Sequence, residues 1–267
     1  MCGVSLDMMS TRPDPKLRIH LDDLTHPGTS LFLSLVNASR LLPSAIEHIL
    51  EHLYRSCPGS TVPPTRSVTL VLRPMDGVAY TTGLPIDDLH KEVHCNLNHI
   101  IRSSKDPKRC RDEIIGVVTH EIVHCYQWNA LGTAPGGLIE GIADYVRLKA
   151  GLAPPHWKGP KEELGESWDA GYQKTAYFLD WLEHEHGKGT VGKINETLRA
   201  EKYHEDEFWV GIFGEGNSIQ DLWTAYRASL VTDGDGSNQT NAMRDSSNLE
   251  EDDAVLVERK LGIPFQA

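Results

Sequence analysis

Two histidines four positions apart, with a glutamate directly after the first, form the most chemically suggestive stretch of this sequence. The letters HEIVH place His120, Glu121 and His124 in one apolar segment. Residues four apart lie on the same face of an α-helix, so both imidazoles can point at one metal ion. Glu121 is rotated by about 100° from His120, which suits a group beside the metal. The pattern H-E-x-x-H therefore indicates two zinc ligands and a general base for a bound water.

A catalytic zinc ion also needs a third protein ligand and an open position for water. The metzincin pattern is excluded because Gln127 and Ala130 stand where it requires glycine and a further ligand. The next predicted helix carries Glu140 and, one turn later on the same face, Asp144. Spacing alone allows either acid to be the ligand. A gluzincin arrangement would make Glu140 the ligand and leave Asp144 to accept the free N–H of a liganding histidine.

The competing interpretation is an ordinary helix whose two histidines face solvent. The surrounding letters EIIGVVTHEIVHCYQW are strongly apolar, which predicts a helix buried on most of its surface. Two buried histidines on one face need polar partners, and a metal ion supplies them. Cys125 points elsewhere on the helix and is predicted to be a small core residue. Gln127 either lines the cleft or is a buried amide bonded to the backbone.

The elements that must position these residues are predicted from hydrophobic periodicity. Alternation predicts strands at 16–21, 67–74 and 91–100, with His94 at a solvated or edge position and 75–85 as a loop. Helical spacing predicts helices at 42–55, 112–128, 137–149, 168–186, 190–200 and 218–230, the last beginning with a capping box. Strands thus precede helices, which favours an α+β fold. We expect a strand-rich N-terminal part packed on a mostly helical C-terminal part.

Domain organisation follows from composition along the chain. Residues 1–15 are expected to be a flexible N-terminus, and 16–231 a single zincin-like domain that carries HExxH on its active-site helix. Residues 232–267 are acidic, polar and almost free of aromatic side chains, so a largely disordered tail is predicted.

Net charge and hydropathy exclude some classes of partner. The chain has 38 acidic and 26 basic residues, giving −12 with histidine neutral. Such a surface repels phosphate backbones and anionic lipid, so neither nucleic acid nor a membrane is an expected partner. The longest apolar run, LFLSLV, is too short to span a bilayer and too far from the start for a signal peptide. The lack of a signal segment in the given chain favours a cytoplasmic location. The five cysteines are odd in number and form no CxxC, which favours free thiols over the alternative of two disulfides plus one spare cysteine. Oligomeric state stays open.

Several stretches resemble the plant basic secretory protein family, zinc peptidases of plants, bacteria and fungi. The resemblance is carried by HEIVHCYQWNALGTAPGGLIEGIADYVRLKAGLAP, and also by MDGVAYTTG, EVHCNLNHI and GYQKTAYFLDWLE. It extends from about residue 17 to 230. The HExxH of the family falls on His120, Glu121 and His124, and its EGIADY on residues 140–145. Members are typically secreted, so the resemblance implies secretion where the given chain favours the cytoplasm.

The function expected from these observations is a zinc endopeptidase that acts on a peptide or protein. His120, His124 and Glu140 would hold Zn²⁺, and Glu121 would move the proton. Tyr172 is nominated to stabilise the oxyanion, because its helix is expected to cross the cleft in this family. The strand EVHCNLNHI is the candidate for binding substrate by strand addition. The alternatives are a zinc hydrolase of another amide or ester, and a non-catalytic interaction protein with a structural zinc.

Overall fold

A computed structural model describes residues 14–103 and 106–232 of the chain. The predicted flexible N-terminus and acidic tail lie, apart from residues 14, 15 and 232, outside the described residues. The described part is an α+β fold with one four-stranded mixed sheet and nine α-helices, which confirms the predicted class. No helix within these ranges is both long and apolar enough to cross a membrane.

The sheet combines a parallel and an antiparallel pairing. Its strands are β1 (Lys16–Leu21), β2 (Ser67–Arg73), β3 (Ala79–Leu84) and β4 (Asp87–Asn96), in the spatial order β1-β2-β4-β3. β1 pairs with β2 and β2 pairs with β4 in parallel, whereas β3 and β4 form an antiparallel hairpin in which Thr81 pairs with Val93. β3 is therefore an edge strand of the described sheet.

Three predictions about this sheet were wrong. The expected loop at 75–85 contains strand β3, because the sequence signals of Gly and Pro mark the ends of the strand and not an irregular segment. The expected strand at 91–100 stops at Asn96, whose side chain accepts a bond from Asn98 N and caps a helix. His94 is not solvated or at an edge: it lies on an internal strand, only 8 % exposed, stacked on Tyr80.

The structure describes nine α-helices, three more than the sequence predicts. They are α1 (Pro27–Leu35), α2 (Ala38–Ile49), α3 (Leu97–Arg102), α4 (Pro107–His124), α5 (Gly136–Lys149), α6 (Tyr172–His186), α7 (Thr190–Thr197), α8 (Glu205–Phe213) and α9 (Ile219–Thr232). α2 continues as a π-helical turn over Leu50–Arg55. Helices α1, α3 and α8 were not predicted. The capping box before α9 is confirmed, since Ser218 and Asp221 each accept a bond from the other's backbone N–H.

The core lies between one face of the sheet and the helices. Alternate residues of β2 point into it, and Val68, Leu70 and Leu72 are fully buried. α4 packs against β3 and β4 on this face, and α5 packs on α4 and α6. The described cysteines, Cys57, Cys95, Cys110 and Cys125, are free thiols as expected. Helix α4 is therefore held between the sheet and α5.

Candidate metal centre

Helix α4 carries the two histidines, and its start and end are set by local sequence. Asp106 caps it by accepting a bond from Arg109 N at 2.7 Å, and Pro107 stands at its first position, where no N–H is needed. The helix ends at His124, and Cys125 N returns to the carbonyl of Ile122. The last turn of α4 is largely buried. His120 and Glu121 are each only 7 % exposed.

Helix α5 brings two acids to the same place. Glu140 and Asp144 lie on α5, one turn apart, and the side chain of Asp144 is almost completely buried. Gly137 at the start of α5 lies so close to the chain before α6 that a Cβ there would be 1.7 Å from Asp169 O. At Gly141 a Cβ would meet the side chain of Thr175. These small residues allow α5 to approach the segment that leads into α6.

Three potential ligand atoms converge between α4 and α5. His120 Nε2 lies 3.2 Å from His124 Nε2 and 3.1 Å from Glu140 Oε2, and His124 Nε2 lies 3.8 Å from Glu140 Oε2. Tetrahedral zinc with bonds near 2.0–2.1 Å would separate its ligand atoms by about 3.3 Å. Among the described residues, these three form the one cluster of potential metal ligands. Two imidazoles and a carboxylate are a donor set that zinc accepts.

The other nitrogen of His120 faces Asp144. Its Nδ1 lies 2.7 Å from Asp144 Oδ1, the geometry that fixes the orientation of an imidazole. Burial lowers the pKa of His120, but the nearby carboxylates of Asp144, Glu140 and Glu121 outweigh it and raise the pKa to about 10. A proton on His120 therefore competes with a metal ion for this site.

His124 is oriented by Gln127, which the sequence left between two interpretations. Gln127 Oε1 lies 2.7 Å from His124 Nδ1, and its Nε2 donates to the carbonyl of Ile139 at 3.0 Å. The amide therefore does both things that were considered, since it contacts a candidate ligand and is bonded to the backbone. Because Ile139 directly precedes Glu140, Gln127 also ties the end of α4 to the start of α5.

Glu121 faces the sheet and is held by a residue that the sequence analysis missed. Thr81 Oγ1 on β3 lies 2.9 Å from Glu121 Oε2 and 2.7 Å from the backbone carbonyl of Glu121. Thr81 was overlooked because 75–85 was predicted to be a loop. The available signal was the run Tyr80-Thr81-Thr82, because aromatic and β-branched residues are enriched in strands.

The ring of Tyr172 lies near the ring of His120. The two rings are nearly parallel, at 15°, with centroids 6.2 Å apart, and Tyr172 is 50 % exposed. Gly171 and Tyr172 have φ values of 87° and 47°, so the chain is left-handed where α6 begins. This explains why α6 starts at Tyr172 and not at the predicted residue 168. A tyrosine with positive φ is strained, and such strain is concentrated at functional sites.

Cys125 does not join the metal ligands. Its thiol is buried and lies 4.0 Å from the backbone carbonyl of Glu121. Burial raises the pKa of this thiol, which disfavours the thiolate that would bind a metal. Its predicted place in the core is confirmed. The strand EVHCNLNHI was the wrong candidate for strand addition, because β4 is already paired on both edges, with β2 and β3.

The described part is thus an α+β fold in which two consecutive helices bring together a His-His-Glu cluster that could hold a metal ion. The comparison with protein families is more specific: the family described as peptidase of plants and bacteria, BSP, matches residues 14–226. The chain belongs to this family, which confirms the resemblance found in the sequence and implies a peptidase. Neither the comparison with curated proteins nor that with solved structures gives a match.

Proposed function

We propose that the protein is a zinc-dependent endopeptidase. The observation that carries this proposal is the triangle formed by His120 Nε2, His124 Nε2 and Glu140 Oε2, with edges of 3.1–3.8 Å. In this proposal those three side chains hold the metal, Asp144 orients His120, and Gln127 orients His124. Membership in a peptidase family supports hydrolysis of peptide bonds.

Glu121 is assigned the role of general base. Zinc held at this site would lower the pKa of a bound water and polarise the scissile carbonyl. Glu121 would take a proton from the water at a carboxylate oxygen and later deliver it to the leaving amine. Its position supports this role, since Glu121 is buried and lies close enough to His120 for its charge to help raise the pKa of that imidazole.

Tyr172 is assigned the role of oxyanion donor. Its ring lies against His120 on the exposed side of the cluster, where a substrate carbonyl would approach. The strained backbone at this position supports the role, because a relaxed helix start would direct the side chain elsewhere. The phenolic O–H would donate to the negative oxygen that develops as the water attacks.

The substrate would be an extended segment of a peptide or protein. β3 is an edge strand of the described sheet and contacts α4, the helix that carries His120 and His124. An extended chain can add to such an edge through backbone hydrogen bonds, which fits cleavage within a chain better than trimming from an end. The Gly-x-Met-Glu-Asn motif that binds a free amine in related aminopeptidases is absent from the sequence.

The two alternatives predict different chemistry at the same site. A structural zinc usually has four protein ligands, whereas the cluster in the described part of the chain has three. A structural site also gives a buried glutamate beside the ligands no task. A zinc hydrolase of another amide or ester would use the same residues, so only the substrate separates it from the endopeptidase.

The test is a digest of a peptide library whose members are blocked at both ends, using the zinc-loaded protein and its Glu121→Gln variant. We expect the wild type to cleave blocked peptides. Glu121→Gln should bind zinc normally but lose about a hundred- to ten-thousandfold in kcat, because the general base is lost while the ligands remain. Glu207→Gln, at an exposed position on α8, is the matched control. Cleavage by Glu121→Gln at the wild-type rate would refute the proposed mechanism.

A further inference from the structure

The contact between Thr81 and Glu121 joins the sheet to the helix that carries the candidate base. Thr81 lies on β3, on the face of the sheet that packs against α4, and its hydroxyl reaches two atoms of one residue. One is the carboxylate oxygen Oε2 of Glu121, and the other is the backbone carbonyl of Glu121. Glu121 is thereby contacted at two points, one on its side chain and one on its backbone, by a group outside its own helix.

The end of α4 explains why the backbone carbonyl of Glu121 accepts this bond. The last four carbonyls of an α-helix have no N–H partner within the helix. In α4 these carbonyls belong to residues 121–124, so Glu121 is the first of them. The N–H of Cys125, which would continue the pattern, donates to Ile122 instead. Thr81 supplies the missing donor for a carbonyl that is buried.

The hydroxyl of Thr81 has one hydrogen but two acceptors within reach, at 2.7 Å and 2.9 Å. When Glu121 is a carboxylate, Thr81 can donate to only one of them at a time. The hydroxyl can therefore hold Glu121 through its carboxylate or through its backbone carbonyl.

We propose that Thr81 is the positioning residue of the general base: its hydroxyl holds the carboxyl group and the backbone carbonyl of Glu121 in place. The inference rests on the proposed function, since it gives Glu121 the role of base. Thr81 itself touches neither the metal ligands' coordinating atoms nor, in this account, the substrate carbonyl. It acts through Glu121.

The experiment compares Thr81→Val, which keeps shape but removes the hydroxyl, with Thr81→Ser, which keeps the hydroxyl. Thr82→Val is the matched control, because Thr82 is the next residue on β3 and points to the opposite face of the sheet. For the zinc-loaded protein, Thr81→Val should lower kcat by about 10- to 100-fold with KM and zinc affinity unchanged, since a displaced base slows chemistry and not binding. Thr81→Ser should recover most of kcat, and Thr82→Val should match the wild type.

Three outcomes would overturn the inference. Thr81→Val could lower kcat no more than Thr82→Val does. It could weaken zinc affinity as much as it lowers kcat, which would indicate a structural role. Thr81→Ser could also be no better than Thr81→Val.

A second measurement tests the contact without relying on catalysis. The Tm of the metal-free wild type is compared with those of Thr81→Val, Glu121→Ala and the double variant. If the hydroxyl holds the carboxyl group, the two changes should be non-additive by about 2–4 °C. Additive shifts would overturn the inference. If the wild type binds zinc but cleaves no peptide, the proposed function fails, and this cycle still decides whether Thr81 holds Glu121.

Discussion

The helix pair α4–α5 and the rim of the candidate metal cluster hold their side chains in different ways. The helix pair supplies His120, His124 and Glu140 from regular backbone, and His120 is 7 % exposed. The rim consists of Thr81 on β3 and the left-handed start of α6 at Tyr172, which is 50 % exposed. From this difference we expect the helix pair to determine metal affinity and the rim to determine kcat.

Loss of a ligand from the helix pair should have the largest effect. Glu140→Ala leaves two histidines as the only protein ligands, so zinc affinity should fall by more than about 100-fold and peptide cleavage should disappear with it. Competition with a chelator at one fixed pH measures the affinity, since a proton on His120 competes with the metal. Glu207→Ala, an exposed glutamate on α8, is the control. An unchanged affinity for Glu140→Ala would place the third ligand elsewhere.

A change at the rim should lower turnover and leave the metal in place. Tyr172→Phe should reduce kcat by about ten- to a thousandfold, the usual effect of losing one oxyanion donor, with unchanged zinc affinity. Steady-state kinetics on a blocked peptide measures this, and Tyr177→Phe on the same helix provides the comparison. If Tyr172→Phe keeps the wild-type kcat, the tyrosine is a packing residue. If it weakens zinc binding, the division between helix pair and rim does not hold.

The smallest effect within the helix pair is expected at the residue that orients a ligand. Asp144→Asn can still accept a bond from His120 Nδ1 but lacks the charge that increases the basicity of the imidazole. Zinc affinity should therefore fall by about 10–100-fold, less than for Glu140→Ala. Chelator competition again gives the value, with Asp180→Asn, at a surface ion pair on α6, as the control. A larger loss for Asp144→Asn than for Glu140→Ala would reverse the two assignments.

The same contrast explains what the sequence could and could not predict. His120, Glu121 and His124 share one helix, and Glu140 and Asp144 share the next, so periodicity was enough to group them. The packing of two consecutive helices then leaves few ways to bring these residues together. The structure brings all five close to one another, with His120 between Asp144 and Glu140.

The rim depends on contacts between residues far apart in the chain. Thr81 is 40 residues from Glu121. The glycines and proline around its strand led to the prediction of a loop. The start of α6 depends on the close approach of Gly137 to Asp169 and on left-handed backbone at Gly171. Neither feature has a periodic signal, so the sequence predicted helix from residue 168. Tyr172 itself was nominated only through the family resemblance.

X-ray absorption at the zinc edge of the loaded wild-type protein tests the proposed ligand set, because it reports the atoms bound to the metal. We expect two imidazoles and only nitrogen and oxygen neighbours around the zinc, at about 2.0–2.2 Å. A sulfur neighbour at about 2.3 Å would contradict this expectation, since a cysteine would then replace a proposed ligand. The signature of a single imidazole would contradict it equally, because His120 and His124 could not both bind the metal.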